Sequence, residues 1–472
     1  MKNVLVMKFG GTSMGSAERI KIAAEICRTQ KALRPVTIVV SAMSKVTDLL
    51  IHSLRHAEGG DKPGVEANIE LLRKRHEDTI RELLPATAQA DAVAGVNALI
   101  AEFQRIAGGV LLLGERPVRS VDEAIAMGER LSALLIAAYL NSEGIIATAV
   151  NAADVIVTDA VFGNATPLME PTREKAHAQL MPLLADGILP VVTGFNGATA
   201  DGRPTTLGRG GSDFSASILA AALDAAELWI WTDVDGIMTA DPRLVKDAAV
   251  LSEVTYSEAA ELAYNGAKVL HPRTLAPLVK KQIPVWSKNS FNLAAPGTKI
   301  VTSISAPGGA RAVTSMANVA LVSVEPASAE ISGTRVMARA LDALAMVNAE
   351  VLTFSSSSYR QSFCFLVRKD ELSAVTKCLE DGLSLELAHG YLKPIEVDEN
   401  VGLLAIVGEG MRGAAGLAGR IFTAVSRENV NIIAIAQGSS ELTINIVVRR
   451  DDVEKAVKAI HEECKMSALA SA

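Results

Sequence analysis

The sequence predicts an α/β protein in which a doubly wound, largely parallel sheet is followed by two ferredoxin-like βαββαβ modules. Two observations support this fold class. Apolar strand-like runs alternate with helical runs from residue 3 to residue 289, which is the pattern of parallel β-α-β units. The last third of the chain carries an internal repeat, and each copy reads strand, loop, helix, strand, strand, helix.

The composition is that of a chain with several packed domains. There are 472 residues, 49% of them hydrophobic, which is enough for about three domains of roughly 150 residues each. A formal net charge of −7 argues against nucleic-acid binding as the main function, because such binding needs a basic surface.

The cysteines and the apolar runs indicate a reducing, aqueous compartment. The four cysteines are scattered and form no CxxC pair, so we expect neither structural zinc nor a disulfide framework. The N-terminal apolar run is too short for a signal peptide, and no run reaches the ~20 apolar residues that span a bilayer. We therefore expect a cytoplasmic protein that binds no membrane.

The first strand-like run, residues 3–9, ends at a glycine-rich turn with the composition of a phosphate cradle. Gly10-Gly11-Thr12-Ser13 follows the strand, and a helical stretch begins near residue 17. The spacing is not that of a Walker A loop, because Lys8 precedes the glycines. A lysine at the carboxyl end of a parallel strand faces the ligand crevice of such sheets. The alternative is a solvated lysine at a strand end.

The stretch from Thr206 to Asp213 reads as a second anion-binding loop. It lies between a strand-like run at 188–195 and a helical run at 214–223. Its glycines let backbone approach a ligand closely, and Ser212 or Asp213 is expected to cap the helix. Arg209 supplies a planar fork that suits a carboxylate or phosphate. The alternative is an arginine in a flexible surface turn.

Further candidate residues follow other predicted elements. Ser41 and Thr47 come at and after the end of a strand at 35–42, and residues 62–117 read as a helical hairpin over the crevice. Glu129 lies in an apolar helical run at 121–141, unless it pairs with Arg130 or another surface charge. Strands at 145–152, 227–233 and 284–289, with helices at 173–185 and 254–265, complete the alternation. The turn-rich segment 232–243 follows a strand, where nucleotides usually dock.

The repeat in the last third has an offset of 82 residues in its first strand and 81 afterwards, so that Asn348 matches Asn429. In the second copy, residues 408–413 match G-x-G-x-x-G. No acidic residue ends the next strand, where Ala436-Gln437 stands, so the match does not indicate a dinucleotide site. The loop suits a small carboxylate instead, such as that of an amino acid.

These groups suit the transfer of a phosphoryl group to an amino acid. An arginine fork and a carboxylate match the α-carboxylate and the ammonium of a free amino acid. No Ser-His-Asp or Cys-His grouping is visible. A carboxylate nucleophile needs no general base, because the pKa of an aspartic acid side chain in water is about 3.9. Phosphoryl transfer to it needs alignment and charge neutralisation, which lysines and Mg²⁺ supply.

Four motifs together resemble those of the aspartate kinases of the amino-acid kinase superfamily, which carry two C-terminal ACT modules. The motifs are residues 8–13, 206–213, 231–236 (Trp-Thr-Asp-Val-Asp-Gly) and 266–272 (Gly-Ala-Lys-Val-Leu-His-Pro). The resemblance implies ATP-dependent phosphorylation of the L-aspartate side chain to 4-phospho-L-aspartate, the entry step to lysine, threonine, methionine and isoleucine. It implies a catalytic domain at 1–297 and ACT modules at 298–392 and 393–472.

The resemblance also implies roles for individual residues. Lys8 would neutralise the transferring phosphoryl group, and Asp213 would orient Lys8. Arg209 would hold the aspartate α-carboxylate and Glu129 its ammonium, with Ser41 and Thr47 lining the pocket. Mg²⁺ would be bound through ATP, with no metal ligands from the protein. His271 is assigned to local structure. The nucleotide contacts would be Lys8, Gly10, Gly11, Thr12, Thr232, Asp233, Met238 (where relatives often carry Tyr), Arg243 and Lys268.

The ACT modules imply feedback by an end-product amino acid, threonine or lysine. The second copy keeps a glycine-rich loop at 408–416 and the sequence Gln-Gly-Ser-Ser at 437–440, whereas the first copy departs from both at 326–333 and 355–358. We expect a homodimer or homotetramer, since ACT modules pair edge to edge. Two alternatives are a kinase of the same fold acting on glutamate or N-acetylglutamate, and an amino-acid sensor with an inactive kinase domain. No dinucleotide domain fits within the 472 residues, so a dehydrogenase fusion is not expected.

Overall fold

The apolar runs of the first 300 residues fold as buried parallel strands. A computed structural model describes residues 3–267, 270–304, 308–327, 331–358 and 361–466. The strands are β1 (Leu5–Phe9), β2 (Val36–Val40), β3 (Ala147–Val150), β4 (Val157–Thr158), β5 (Leu189–Thr193), β6 (Asn196–Thr199), β7 (Pro204–Thr206), β8 (Glu227–Thr232), β9 (Glu253–Thr255), β10 (Val285–Asn289), β11 (Thr298–Val301), β12 (Ala312–Val324), β13 (Thr353–Ser356), β14 (Phe363–Arg368), β15 (Glu396–Val407), β16 (Ile432–Gln437) and β17 (Thr443–Arg449).

Fifteen α-helices accompany the strands in the described part of the chain. They are α1 (Ala17–Lys31), α2 (Val46–Glu58), α3 (Lys62–Leu83), α4 (Ala86–Leu113), α5 (Val118–Ile125), α6 (Met127–Ser142), α7 (Met169–Ala185), α8 (Gly211–Ala222), α9 (Tyr256–Tyr264), α10 (Pro272–Lys281), α11 (Gly333–Met346), α12 (Leu372–Gly382), α13 (Ser384–Ala388), α14 (Leu417–Arg427) and α15 (Val453–Glu463).

The chain folds into two units, and each unit is formed by three separate segments of the sequence. The first comprises Met1–Ile237, Ser252–Tyr256 and Leu270–Thr302, and the second comprises Met238–Leu251, Ser257–Val269 and Ser303–Ala472. Two stretches within the alternating α/β pattern therefore pack with the C-terminal third. In the second unit, Ala240 and Val245 belong to the same apolar cluster as Ile406 and Ile446. The predicted domain boundaries at 297 and 392 stay a prediction.

The first unit contains an eight-stranded sheet of order β3-β5-β2-β1-β8-β10-β11-β9. The first six strands in this order, from β3 to β10, run parallel to one another, whereas β11 is antiparallel to β10. Every residue of β1, β2 and β5 is buried, which explains their continuous apolar runs. The predicted doubly wound sheet and the α/β class are confirmed.

Three local predictions in this unit were wrong. The strand predicted at 188–195 ends at Thr193, and β6 and β7 then form a small sheet with β4. Strands of two to four residues are too short to show a period in the sequence. The helix α8 is capped by Gly210 at φ +72°, without a side-chain cap from Ser212 or Asp213. The helical run at 121–141 is two helices that meet at Ala126.

The predicted helical hairpin at 62–117 is confirmed as α3 and α4. By length and composition α4 could cross a membrane, although polar and charged residues such as Asp91, Glu102 and Arg105 interrupt it and it contains no run of ~20 apolar residues. Its inward face, including Val96, Ile100 and Phe103, belongs to the main apolar cluster of the first unit. This inward face accounts for part of the apolar composition of α4, whereas Leu112 and Leu113 at its end are exposed.

In the second unit, the predicted repeat is confirmed by both topology and backbone conformation. The copies are β12-α11-β13-β14-α12 and β15-α14-β16-β17-α15. The matched residues Asn348 and Asn429 both follow a helix end in the left-handed conformation, at φ 50° and 58°. Asparagine tolerates that conformation better than most residues, which explains why it recurs at this position.

The two modules share one antiparallel sheet of order β13-β14-β12-β15-β17-β16. Residues 319–324 of β12 pair with β14, while residues 312–316 pair with the far end of β15. Likewise, residues 401–407 of β15 pair with β17, and residues 396–398 pair with β12. The long strands β12 and β15 therefore each pair in both modules. One end of each long strand forms the fourth strand of the other module.

We predict that Ile446→Ala in β17 lowers the free energy of unfolding by about 2–5 kcal/mol, because it leaves a cavity in a closed core. Ile446 is fully buried. Its cross-strand partner Ile435 is 44% exposed and provides the matched control. Ile435→Ala should cost less than about 1 kcal/mol. Denaturant titration followed by circular dichroism measures both, and equal costs would contradict the assignment of this core.

Candidate functional site

A cavity of about 570 Å³ opens in the first unit at the carboxyl ends of β1, β2 and β8. This is the edge of a parallel sheet at which ligands bind in open α/β folds. Its lining joins segments far apart in the sequence: Lys8, Gly10–Thr12, Ser41–Lys45, Thr47, Asp48, Glu129, Phe195, Gly210–Asp213, Thr232 and Asp233. The predicted residues Ser41, Thr47 and Glu129 therefore lie around the same space as both glycine-rich loops.

An ion pair joins the two loops across the cavity. Lys8 Nζ lies 2.6 Å from Asp213 Oδ1, and the side chains are 11% and 23% exposed. The contact does not have hydrogen-bond geometry at Asp213 Oδ1, so we describe it as a charge pair. Lys8 comes from β1 and Asp213 from the first turn of α8. The pair fixes a largely buried ammonium group at the centre of the cavity lining.

The glycines of both loops allow close backbone packing and leave amide groups free. A Cβ at Gly11 would lie 3.1 Å from the carbonyl oxygen of Ala42, and one at Gly211 would lie 2.5 Å from the Phe195 ring. The N–H groups of Gly11 and Thr12 have no acceptor within the described residues, and the same holds for Ser212 at the start of α8. Free amides beside a lysine bind an anion such as phosphate.

Glu129 is a buried carboxylate in the wall of this cavity. It is 3% exposed, and its Oε1 accepts a hydrogen bond from the Ala42 N–H at 3.1 Å. Its Oε2 has no partner among the described residues. Burial raises the pKa of Glu129 to about 8, although the Ala42 amide and the nearby Lys8 oppose the shift. The alternative pairing with Arg130 is wrong, because Arg130 pairs with Glu102 at 2.8 Å.

Two residues that sequence reasoning missed have unusual backbone conformations in the cavity lining. Lys45 has φ 66° and Phe195 has φ 70°, in the left-handed region that non-glycine residues rarely adopt. Such conformations cluster at ligand sites, where the surrounding structure holds them in place. The carbonyl of Phe195 accepts the Leu207 N–H at 2.9 Å, which holds the second loop close to the end of β5.

The structure does not bring every predicted site residue to the cavity. Arg209 is exposed and forms no ion pair within the described residues, although its neighbour Gly210 lines the cavity. Met238 and Arg243 belong to the second unit, where Met238 is half-buried and Arg243 pairs with Asp241 at 2.6 Å. Lys268 lies outside the described residues.

His271 has the local role predicted for it. It caps α10, and its Nδ1 accepts a hydrogen bond from the Arg273 N–H at 3.2 Å.

The charges of the cavity suit an anion accompanied by a divalent cation. Lys8 and Lys45 contribute two positive charges, and Asp48, Asp213 and Asp233 contribute carboxylates. No group of three or more potential metal ligands is present among the described residues. Carboxylates without a preformed cage fit Mg²⁺ that arrives bound to phosphates and keeps several waters.

A second cavity, of about 750 Å³, lies in the second unit beside the glycine-rich loop of the second repeat copy. Residues 413–419 line it from one side and residues 437–439 and Glu441 from the other. The Gly413 N–H donates to the Glu441 carboxylate at 2.6 Å, so a hydrogen bond joins the two lining segments. The predicted effector loop therefore borders a space large enough for an amino acid.

Comparisons with known proteins agree with this architecture. Residues 3–289 match the amino acid kinase family, and residues 404–464 match an ACT domain. The bifunctional aspartokinase/homoserine dehydrogenase 1 of Arabidopsis thaliana is 36% identical over 471 residues, which cover 98% of this chain and 51% of the relative. The chain thus spans about half the length of such bifunctional relatives. The lysine-sensitive aspartokinase 3 of Escherichia coli is 32% identical over 98% of this chain and 99% of its own length.

Two solved structures have the same fold over nearly the whole chain. Escherichia coli aspartokinase III in complex with aspartate and ADP, in the R-state, has a TM-score of 0.82 and 30% identity. The same enzyme in complex with lysine and aspartate, in the T-state, has a TM-score of 0.81 and 31% identity. Each match covers 98% of this chain and 99% of the other. The chain therefore belongs to the amino acid kinase family and, within it, to the aspartokinases.

Proposed function

We propose that this chain transfers the γ-phosphoryl group of ATP to the side-chain carboxylate of L-aspartate and so forms 4-phospho-L-aspartate and ADP. The observation that carries the proposal is the single cavity that gathers the Lys8–Asp213 pair, two loops with free amides and the buried Glu129. The E. coli structure with aspartate and ADP supports the same substrates for this chain.

The charges of the cavity match the steps of this reaction. A carboxylate oxygen of aspartate attacks the γ-phosphorus, and the bond from that phosphorus to the β,γ-bridging oxygen breaks as ADP leaves. No proton is transferred, because the nucleophile is already ionised. Negative charge grows on the phosphoryl oxygens, and the ammonium of Lys8 with the free amides of Gly11 and Thr12 would stabilise it. Mg²⁺ bound through ATP would neutralise further phosphate charge.

Aspartate would be oriented by groups of opposite charge. The Arg209 fork would bind the α-carboxylate, which is consistent with a guanidinium that has no acidic partner in the described residues. The Glu129 carboxylate would bind the ammonium, with Ser41 and Thr47 completing the pocket. An N-acylated acid lacks that ammonium and would leave Glu129 unpaired in a buried wall, which disfavours N-acetylglutamate as the substrate.

Nucleotide contacts belong to the same proposal. Lys8, Gly10, Gly11, Thr12, Thr232 and Asp233 would contact ATP, and their shared position on one cavity supports this. Met238, Arg243 and Lys268 are proposed from the sequence resemblance alone.

We propose that an amino-acid effector, lysine or threonine, binds in the ACT region and regulates the kinase. The second cavity beside residues 413–419 supports the presence of an effector site, and the E. coli relative with bound lysine supports lysine as a candidate. An effector changes activity only if it binds one state of the enzyme more tightly than another. We also propose that the protein forms a homodimer or homotetramer and is located in the cytoplasm. The location is supported by four cysteines that form no disulfide.

The sensor alternative, in which the kinase domain is inactive, is disfavoured by the intact charge pair of Lys8 and Asp213.

The proposed activity is tested by incubating the protein with ATP, Mg²⁺, hydroxylamine and an acid substrate. We expect aspartyl hydroxamate from L-aspartate and at least about tenfold less product from L-glutamate or N-acetyl-L-glutamate, which misplace or lack a charged group. Product from none of the three acids, with amino-acid binding still detected by calorimetry, would favour the sensor alternative.

We predict that Lys8→Met lowers kcat by about 10²–10³, because the transition-state charge loses a preorganised ammonium group. Methionine keeps the length of the side chain, so folding should survive. The matched control is Lys21→Met, which changes an exposed lysine on α1. Steady-state kinetics with saturating ATP measures both variants. A kcat for Lys8→Met equal to that of the wild type would reject the role of Lys8.

We predict that aspartate binding releases protons at pH 7. Free Glu129 is mostly protonated there, since burial raises its pKa to about 8, and pairing with the aspartate ammonium should favour its ionised form. Calorimetry in buffers of different ionisation enthalpy counts the released protons. The count should approach zero at pH 9, where Glu129 is already ionised, and in Glu129→Gln.

The control for this measurement is Glu143→Gln, an exposed residue at the other end of the same helix, which should leave the count unchanged. If Glu129→Gln releases as many protons as the wild type at pH 7, Glu129 does not bind the ammonium.

A further inference from the structure

Asp122 is a buried carboxylate that lies outside the cavity lining yet contacts the second glycine-rich loop. It is located on α5 and is 1% exposed. Its Oδ1 accepts the hydroxyl of Thr206 at 2.7 Å, and its Oδ2 accepts the Thr206 N–H at 3.0 Å and the Gly163 N–H at 2.8 Å. One side chain thus joins α5, the end of β7 and the loop that carries residues 159–166.

No cation compensates this carboxylate within the described residues. Burial raises the pKa of Asp122, and the hydrogen bonds from Thr206 and Gly163 oppose the shift. A buried acid without an ion pair is costly, and its three hydrogen bonds are what stabilise it. The carboxylate fixes the two backbone segments that it joins, because an apolar residue in the same space would leave the Thr206 and Gly163 N–H groups without acceptors.

The loop that Asp122 holds through Gly163 contacts the chain on the N-terminal side of Arg209. The Ala165 N–H donates to the Thr206 carbonyl at 2.8 Å, in the same loop as Gly163. Gly208 has φ +74°, and a Cβ there would lie 2.5 Å from Asn164 Oδ1, so the two loops are in close contact. Arg273 donates to the same Asn164 oxygen and lies over the Phe214 ring of α8.

We propose that Asp122 is a positioning residue for the substrate arginine: it fixes Thr206 against residues 163–165 and thereby sets the location of Arg209 at the cavity rim. Arg209 is exposed and lacks an ion pair in the described part of the chain, so its own contacts do not hold it. Its backbone is held between Thr206 on one side and Gly210, the cap of α8, on the other. This inference rests on the proposed aspartate kinase function and assigns a residue that acts through Arg209.

The geometry provides a matched control in Asp122→Asn. The amide oxygen of asparagine can accept both N–H groups, and its NH₂ can donate to the Thr206 hydroxyl oxygen, which is an acceptor as well as a donor. All three hydrogen bonds are therefore available without the charge. Asp122→Ala removes all three and leaves the buried Thr206 N–H and the half-buried Gly163 N–H unpaired.

The test measures KM for aspartate, KM for ATP and kcat. Asp122→Ala should raise KM for aspartate by about ten- to a hundredfold, close to the effect of Arg209→Ala, with a much smaller change in KM for ATP. Asp122→Asn should stay within about threefold of the wild type in all three constants, because a neutral isostere keeps the contacts. Glu123→Ala, the neighbouring acid on α5, should leave KM for aspartate unchanged.

A second readout does not depend on the reaction. Backbone amides of residues 206–211 should exchange hydrogen faster in Asp122→Ala than in the wild type, and Asp122→Asn should restore protection. If Asp122→Ala does not fold, Thr206→Val takes its place: it deletes one of the three hydrogen bonds and should raise KM for aspartate by about three- to tenfold.

The outcomes separate the two proposals. An inactive wild type would overturn the kinase function, while the exchange experiment would still test Asp122. If the wild type is active and Asp122→Ala has the same KM for aspartate as the wild type, the positioning role alone is overturned. The positioning role is also overturned if Asp122→Asn raises KM for aspartate as much as Asp122→Ala does. The negative charge of Asp122, and not the position of the loop, would then be what matters.

Discussion

The site depends on one buried charge pair. Lys8 lies four residues into a strand whose every side chain is buried, so its ammonium group needs a partner close by. Asp213 is that partner, and it reaches Lys8 only because Gly210 begins α8 and the second loop lies close to Phe195. The same contact that satisfies the lysine therefore sets the distance between the two loops with free amides.

The sequence was informative where a residue's chemistry and its place in a periodic pattern agree. Continuous apolar runs predicted β1, β2 and β5, because strands buried on both faces contain few polar residues. The glycine-rich loops were found because each stands between a strand-like run and a helical run, where parallel sheets bind anions, and the family resemblance then assigned roles to Lys8 and Asp213. The repeat was found because residues match at an offset of 82 and then 81 positions, and one matched pair, Asn348 and Asn429, shares the left-handed conformation.

Other features had no local signal. The short strands β6 and β7 have no measurable period. The start of α8 at Gly211 packs closely against Phe195, which no local pattern in the sequence indicates. Asp122 looks like any polar residue of an amphipathic helix until Thr206 and Gly163 are brought to it. Met238 and Arg243 follow a strand of the first unit, yet the segment that contains them packs with the second unit.

One sheet joins the two modules of the second unit, and an apolar cluster of that unit contains residues of both β12 and β15. Because β12 and β15 each cross both modules, a shift in one copy cannot leave the pairing of the other copy unchanged. The segment 238–251 contributes Ala240 and Val245 to that unit's core. An effector bound beside residues 413–419 would therefore act on a unit that includes part of the alternating α/β pattern.

The most direct test of the account is a crystal structure of the protein with a non-hydrolysable ATP analogue, Mg²⁺ and L-aspartate. We expect the Lys8 ammonium to contact the terminal phosphate while Asp213 still pairs with Lys8, and the aspartate side-chain carboxylate to face that phosphate. A terminal phosphate bound away from Lys8, with the cavity at the ends of β1 and β8 empty, would contradict it.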